Sequence, residues 1–200
     1  MLKIFFFLFF SCGINAQQLE SLKTLKAKHD SIETQLKLKY QEEIKGKSES
    51  EISEIYYQNL LSRSKNNRER LDHYFSAVQT FLETQKLIGP SPEATQQEIP
   101  DKTANYSHGF PALYKEVHDF IKNRYQDRLD EYFTKSAKIH FIVQNDHSLY
   151  IEKVEGTEKE FNDLALLAFL MTTGKWESAF QSGSNVKSKF VLPVKFVVEE

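Results

Sequence analysis

The chain has 200 residues, enough for one or two small domains and short for a large enzyme. Hydrophobic residues make up 40% and charged residues 27%, an ordinary globular balance. With 26 Lys and Arg against 28 Asp and Glu, the formal net charge of -2 excludes a global basic field that would hold a phosphate backbone.

The first 16 residues read as an export signal peptide. Lys3 supplies the positive start, Ile4 to Phe10 is an unbroken apolar run, and Ser11 to Ala16 is a small-residue exit. Cleavage near Ala16 leaves Gln17 as the new N-terminus and places the protein in the periplasm. The run is short for a membrane span, which needs about 20 apolar residues. An uncleaved anchor, or a lipid on Cys12, are the two routes to membrane attachment. The residues before Cys12 (Phe9-Phe10-Ser11) fit a lipidation site poorly. Cys12 is the single cysteine, so the cleaved chain relies on core packing and has neither a disulfide nor a thiol nucleophile.

Residues 17–88 are expected to form a charged helical region. Leu19, Leu22, Leu25, His29, Ile32, Leu36 and Tyr40 recur at spacings of three and four, on one helix face. Gly46 and Ser48-Glu49-Ser50 break this helix. A second apolar series (Ile52, Ile55, Tyr56, Leu60) and a third (Leu71, Tyr74, Phe75, Val78, Phe81, Leu82) follow, with Asn66-Asn67 expected to separate them. The helices fold back as a hairpin or bundle, or pair with a second chain as a coiled coil; irregular heptads favour the hairpin. The basic cluster Arg63-Lys65-Arg68-Arg70 reads as a solvated face without the aromatic interleaving that single-stranded nucleic acid needs.

Residues 89–109 read as a linker, rich in Pro and Gly and poor in residues to bury. Residues 110–200 form the last domain. Its periodicity predicts a helix from Phe110 to about Ser136, then strands over Lys138–Gln144 and Leu149–Glu155 joined by the turn Asn145–Ser148. A helix over Glu158–Thr173 is stopped by Gly174. A last strand, Lys187–Val198, alternates with Phe190, Leu192, Val194, Phe196 and Val198 on one side. The fold class is α+β: a helical region, then a small β-β-α-β sheet with a preceding helix.

The segment Lys138–Glu200 resembles the TonB C-terminal domain. The resemblance is carried by the strand KIHFIVQ, the turn and strand ending LYIEKVEG, and the helix with Leu164-Ala165-Leu166-Leu167-Ala168. Its strongest markers are Lys175-Trp176 at the helix exit and the strand Leu192-Pro193-Val194-Lys195-Phe196. Two positions depart from the family pattern: Glu177 stands where Pro is frequent, and His147 where the hairpin turn frequently has Gly, which demands an unusual backbone conformation of a non-glycine. The resemblance implies protein recognition and transmembrane transport rather than catalysis. In such domains the sheet accepts an extended peptide from an outer-membrane receptor as an added strand. The implied contact residues are Lys189, Val191, Pro193, Lys195 and Val197 on the last strand, with Trp176 either capping the core or anchoring a partner. Pro193 fits an edge strand or a bulge. The expected role is a TonB-linked adaptor; the alternative is a structural envelope protein that self-associates through the same strand.

Catalytic, cofactor and metal residues are not expected. The six histidines are scattered, with no zinc-binding spacing, phosphate loop or nucleophile elbow. Asp127, Asp130 and Glu131 fall among Arg124, Arg128 and Lys135 as surface ion pairs of about 0.3–0.5 kcal/mol each. No nucleic acid and no direct small-molecule substrate are expected.

Overall fold

The computed structural model describes residues 10–89, 100–124 and 133–198, with side chains from Glu20 onward except those of Arg124, Phe133 and Val198. The chain divides into two compact units: residues 20–79, and residues 80–200 together with 1–19. It is α+β, with two long helices up to Ile88 and then small antiparallel sheets with two shorter helices. Among the described residues no helix is long and apolar enough to cross a membrane. The apolar run at residues 4–9 lies outside them.

The unit of residues 20–79 is a helical hairpin made from α1 (Phe10–Glu43) and α2 (Glu49–Ile88). The break falls at Gly46 and Ser48, as the sequence predicts. Gly46 takes φ 72°, a left-handed conformation open to glycine at little cost. Glu51 then folds back onto the start of α2, where its Oε2 accepts the Ser48 N–H (3.0 Å) and hydroxyl (2.8 Å). These bonds and Lys47 lower the Glu51 pKa to about 2.

Asn66-Asn67 does not separate two helices: α2 runs unbroken through them. Asn66 is buried because it has work inside the hairpin. Its Oδ1 lies 2.8 Å from His29 Nδ1, and its Nδ2 donates to the His29 carbonyl. His29 Nε2 meets His73 Nδ1 at 3.0 Å, and Asn59 donates to the Leu36 carbonyl at 2.9 Å. The basic cluster also turns partly inward. Arg63 binds Glu33 (2.6 Å), and Arg70 reaches Asp30 (3.5 Å) and the His29 carbonyl (3.4 Å). Buried polar pairs of this kind fix the register of two helices more than they add stability.

In the second unit, β2 (Phe133–Val143) is the central strand of a three-stranded antiparallel sheet in the order β3-β2-β7. Its neighbours are β3 (Leu149–Gly156) and β7 (Ser188–Val198). Helices α3 (Phe110–Arg124) and α4 (Lys159–Leu170) pack on one face: α3 against β7, α4 against β2 and β3, and the two helices against each other. Ala137, Ile139, Phe141 and Val143 alternate toward this core, with Leu192, Val194 and Phe196 beside them. The expected α4 face of Phe161, Leu164, Ala165 and Ala168 is buried, and so are Leu166, Leu167, Phe169 and Leu170, because α3 covers the side the sheet does not.

Two expectations about the extent of elements are corrected. The helix from Phe110 does not reach Ser136. Residues 125–132, which include Leu129 and the Asp127/Asp130/Glu131 group, lie outside the described residues, and Phe133–Ser136 are strand. The eleven residues of β7 need a partner of equal length, and Phe133↔Val198 to Ser136↔Lys195 complete that ladder against the local helical period. The linker also ends earlier than Gly109. Residues 90–99 lie outside the described residues, but Lys102 bridges Phe180, and β1 (Asn105–Tyr106) pairs with β4 (Trp176–Glu177), burying Ala104 and Tyr106. The polar loop before the last strand contains a hairpin of β5 (Ala179–Gln181) and β6 (Ser184–Val186). Its turn residues Ser182 and Gly183 both have positive φ, the two-residue turn that matches strand twist.

Gly174 does not stop α4 by a left-handed conformation. The helix closes at Met171, whose N–H bonds to the Leu167 carbonyl. Gly174 is needed for close approach: a Cβ there would meet the Tyr106 ring, 2.6 Å from its hydroxyl oxygen, 2.7 Å from Cε2 and closer still to Cζ. That hydroxyl accepts the Gly174 N–H at 2.6 Å.

Tyr106 leads to a small locked network. Glu116 on α3 accepts the Thr173 N–H (2.6 Å) and hydroxyl (3.0 Å), the Tyr106 hydroxyl (3.2 Å) and a contact from His108 (3.3 Å). Burial opposes ionisation of Glu116, but these bonds outweigh it and hold its pKa below the ordinary glutamate value. A lowered folded pKa stabilises above the unfolded value, and the gain is lost as pH falls through the folded one. The wild-type advantage in Tm over Glu116→Gln is therefore expected to be full above about pH 5 and to shrink as pH falls below about 4. Thermal unfolding across pH measures it.

Candidate functional site

β7 is an edge strand: β2 pairs along one side of it, and no described strand pairs along the other. Which backbone groups face outward follows from the two ends of β2. The Ser136 carbonyl accepts the Thr157 N–H, and the Gln144 N–H donates to Ser148, so even-numbered residues of β2 point toward the β3 side. Odd-numbered residues then bond β7, and their partners there are even-numbered, Ser188 to Val198. The odd residues Lys189, Val191, Pro193, Lys195 and Val197 turn their backbone groups to the open edge. These are the five strand residues singled out in the sequence.

Pro193 is placed opposite Lys138, in continuous register with no bulge between β2 and β7. Its missing N–H is an outward one, so the internal ladder loses nothing. Among the described residues, no backbone hydrogen bond outside the sheet ladders reaches Val191, Lys195 or Val197. The side chains of the same five residues lie on the sheet face opposite α3 and α4. Val191 is 53% exposed there, Lys189, Pro193 and Lys195 are exposed, and Val197 is half-buried.

The opposite edge of the sheet is closed at the start of β3. Gln85, in the last turns of α2 and 5% exposed, donates from Nε2 to the Leu149 carbonyl (2.6 Å). Its Oε1 accepts the Ile151 N–H (3.0 Å). One carboxamide satisfies the outward acceptor and donor that an added strand would take from β3. Nothing in the sequence pattern marks this glutamine, a polar residue in a helix end.

Trp176 is not on a surface. It is 7% exposed and ringed by Tyr106, Phe110, Phe141, Phe169 and Phe190, with centroids 5.2–6.2 Å away. Of the two readings the sequence left open for Trp176, burial among five aromatic rings fits the core cap and leaves little surface for a partner. The signal for this was the run of aromatics in helix, loop and strand segments that only the fold brings together.

His147 adopts φ 68°, the unusual conformation the hairpin turn demands of a non-glycine. Its Nδ1 accepts the Ser178 N–H at 2.9 Å, which ties the β2–β3 turn to the loop after β4. The Ser178 hydroxyl lies 3.0 Å from the same nitrogen. Among the described residues, no group of three or more His, Cys, Asp or Glu could hold a metal ion.

The site is thus a row of outward backbone groups along an open edge of an antiparallel sheet. No family model, curated protein or solved structure matches this chain.

Proposed function

We propose that the protein is exported to the periplasm and binds an extended peptide of a partner protein as an added strand along β7, in the manner of a TonB C-terminal domain. It acts as a non-catalytic adaptor linked to outer-membrane transport. The observation that carries this reading is the outward row at Lys189, Val191, Pro193, Lys195 and Val197, on the one sheet edge that Gln85 does not occupy. The order of strand, turn, strand, helix and strand, with Lys175-Trp176 and Leu192-Pro193-Val194-Lys195-Phe196 in place, supports the family likeness. Self-association through the same strand is the weaker alternative. Pairing β7 with its copy sets a strand lacking the Pro193 donor against another with the same gap.

Two proline substitutions test the reading. In Val191→Pro the lost N–H faces outward, so the fold is expected to survive with Tm close to wild type while peptide affinity falls about tenfold or more. In Leu192→Pro the lost N–H faces β2, and the unit is expected to unfold. Periplasmic-turn peptides of outer-membrane transporters, titrated against the full chain, supply the ligand. Equal affinity of wild type and Val191→Pro rules out strand addition at β7.

A further inference from the structure

We infer that the strand accepted along β7 is an acidic one, with a carboxylate placed opposite Lys195 and an apolar residue opposite Val191; this rests on the reading of β7 as the acceptor edge. The outer face of the sheet is charged unevenly. Its two carboxylates on β3 are engaged: Glu152 with Lys189 at 3.0 Å, and Glu155 with His140 at 2.9 Å and Lys153 at 2.8 Å. Lys138 and Lys195 differ from these. Both are exposed, and among the described residues neither is in an ion pair: Glu155 stands across from Lys138 but is held by His140 and Lys153, and Lys195 stands across from Ser136.

The register makes these two lysines diagonal neighbours. Lys138 stands opposite Pro193, and Lys195 stands two residues further along β7, opposite Ser136. Side chains so placed on one face lie within reach of each other, and like charges there repel. Pro193 between them carries no charge to relieve it. A strand laid against β7 sets its own side chains about 4.8 Å beyond the lysine row. A Glu or Asp opposite Lys195 pairs with it directly and lessens the repulsion from Lys138.

Spacing adds a second condition. Val191 is 53% exposed and lies four residues from Lys195. On a strand, positions four apart share a face. The matching partner therefore carries an apolar residue and an acidic residue four apart, in either chain direction. Lys189 already holds Glu152 and contributes less.

Three capped peptides of identical alternating apolar sequence test this, differing only in Glu, Gln or Lys at the position four residues from a central Val. Each is titrated against the full chain at low and at high salt. The Glu peptide is expected to bind about threefold more tightly than the Gln peptide and about tenfold more tightly than the Lys peptide. The differences are expected to shrink at high salt, as exposed pairs do. Lys195→Glu is expected to reverse the order, with its Tm reported beside it. Equal binding of all three peptides at low salt overturns the acidic preference and leaves strand addition standing. Binding by none overturns both. A preference that persists unchanged in Lys195→Glu removes Lys195 from the site.

Discussion

Trp176→Ala is expected to destabilise the unit of residues 80–200 by about 3–5 kcal/mol. The indole is the centre on which β1, α3, α4, β2 and β7 converge through Tyr106, Phe110, Phe169, Phe141 and Phe190. Its removal leaves a cavity lined by rings that cannot collapse together, because each is held by a different element. Trp176→Phe is expected to recover most of the loss. A benzene ring keeps the central aromatic contacts, and the change removes an indole N–H buried without a hydrogen-bond partner among the described residues. Chemical denaturation followed by circular dichroism measures both variants. If Trp176 anchored a partner instead, Trp176→Phe would weaken peptide binding while leaving stability nearly unchanged.

The second large effect is expected at Gln85. In Gln85→Ala the Leu149 carbonyl and the Ile151 N–H lose their shared partner, at about 1–3 kcal/mol for each group that stays dry. Amide exchange at Ile151 should accelerate more than exchange at its neighbours in β2. The opened β3 edge is also a template for pairing, so Gln85→Ala is expected to associate at concentrations where wild type does not. Gln85→Glu isolates one half of the contact. A carboxylate still accepts the Ile151 N–H but sets negative charge against the Leu149 oxygen. Protonation relieves that conflict, so the variant's folded pKa is raised, and its stability relative to wild type should improve as pH falls through that value. Equal stability of Gln85→Ala and wild type, with unchanged exchange at Ile151, would remove the edge-closing role.

Both variants turn on contacts that link segments far apart in the chain, and this marks the division between what local pattern carries and what it does not. Elements with a strong period were legible. The alternation of Phe190, Leu192, Val194 and Phe196 specified β7 and its buried side. The helix break at Gly46 and Ser48 was written in left-handed and capping residues. The left-handed turn at His147 followed from a non-glycine in a tight hairpin. The five outward positions of β7 were also legible, because a period of two assigns each residue a side.

Other features depended on partners that no local window contains. Phe133–Ser136 follow a helical period but are strand, since the far half of β7 offers a ladder worth more than local propensity. Ala104 and Tyr106 sit in a stretch of breakers and are buried, because β4 returns to pair with them. Asn66 resembles a helix-ending residue and is a buried hydrogen-bonding one, since His29 comes to it from the other helix.

The sequence by itself determined the α+β class, the helical hairpin, and which side of β7 faces out, because these depend on periodicity and turn chemistry within short stretches. Only the tertiary structure decided that β7 is an open edge, that Gln85 caps the start of the other, and that Trp176 belongs to the core. Each depends on which distant groups satisfy a backbone donor or bury a ring, and that is settled by packing across the whole unit.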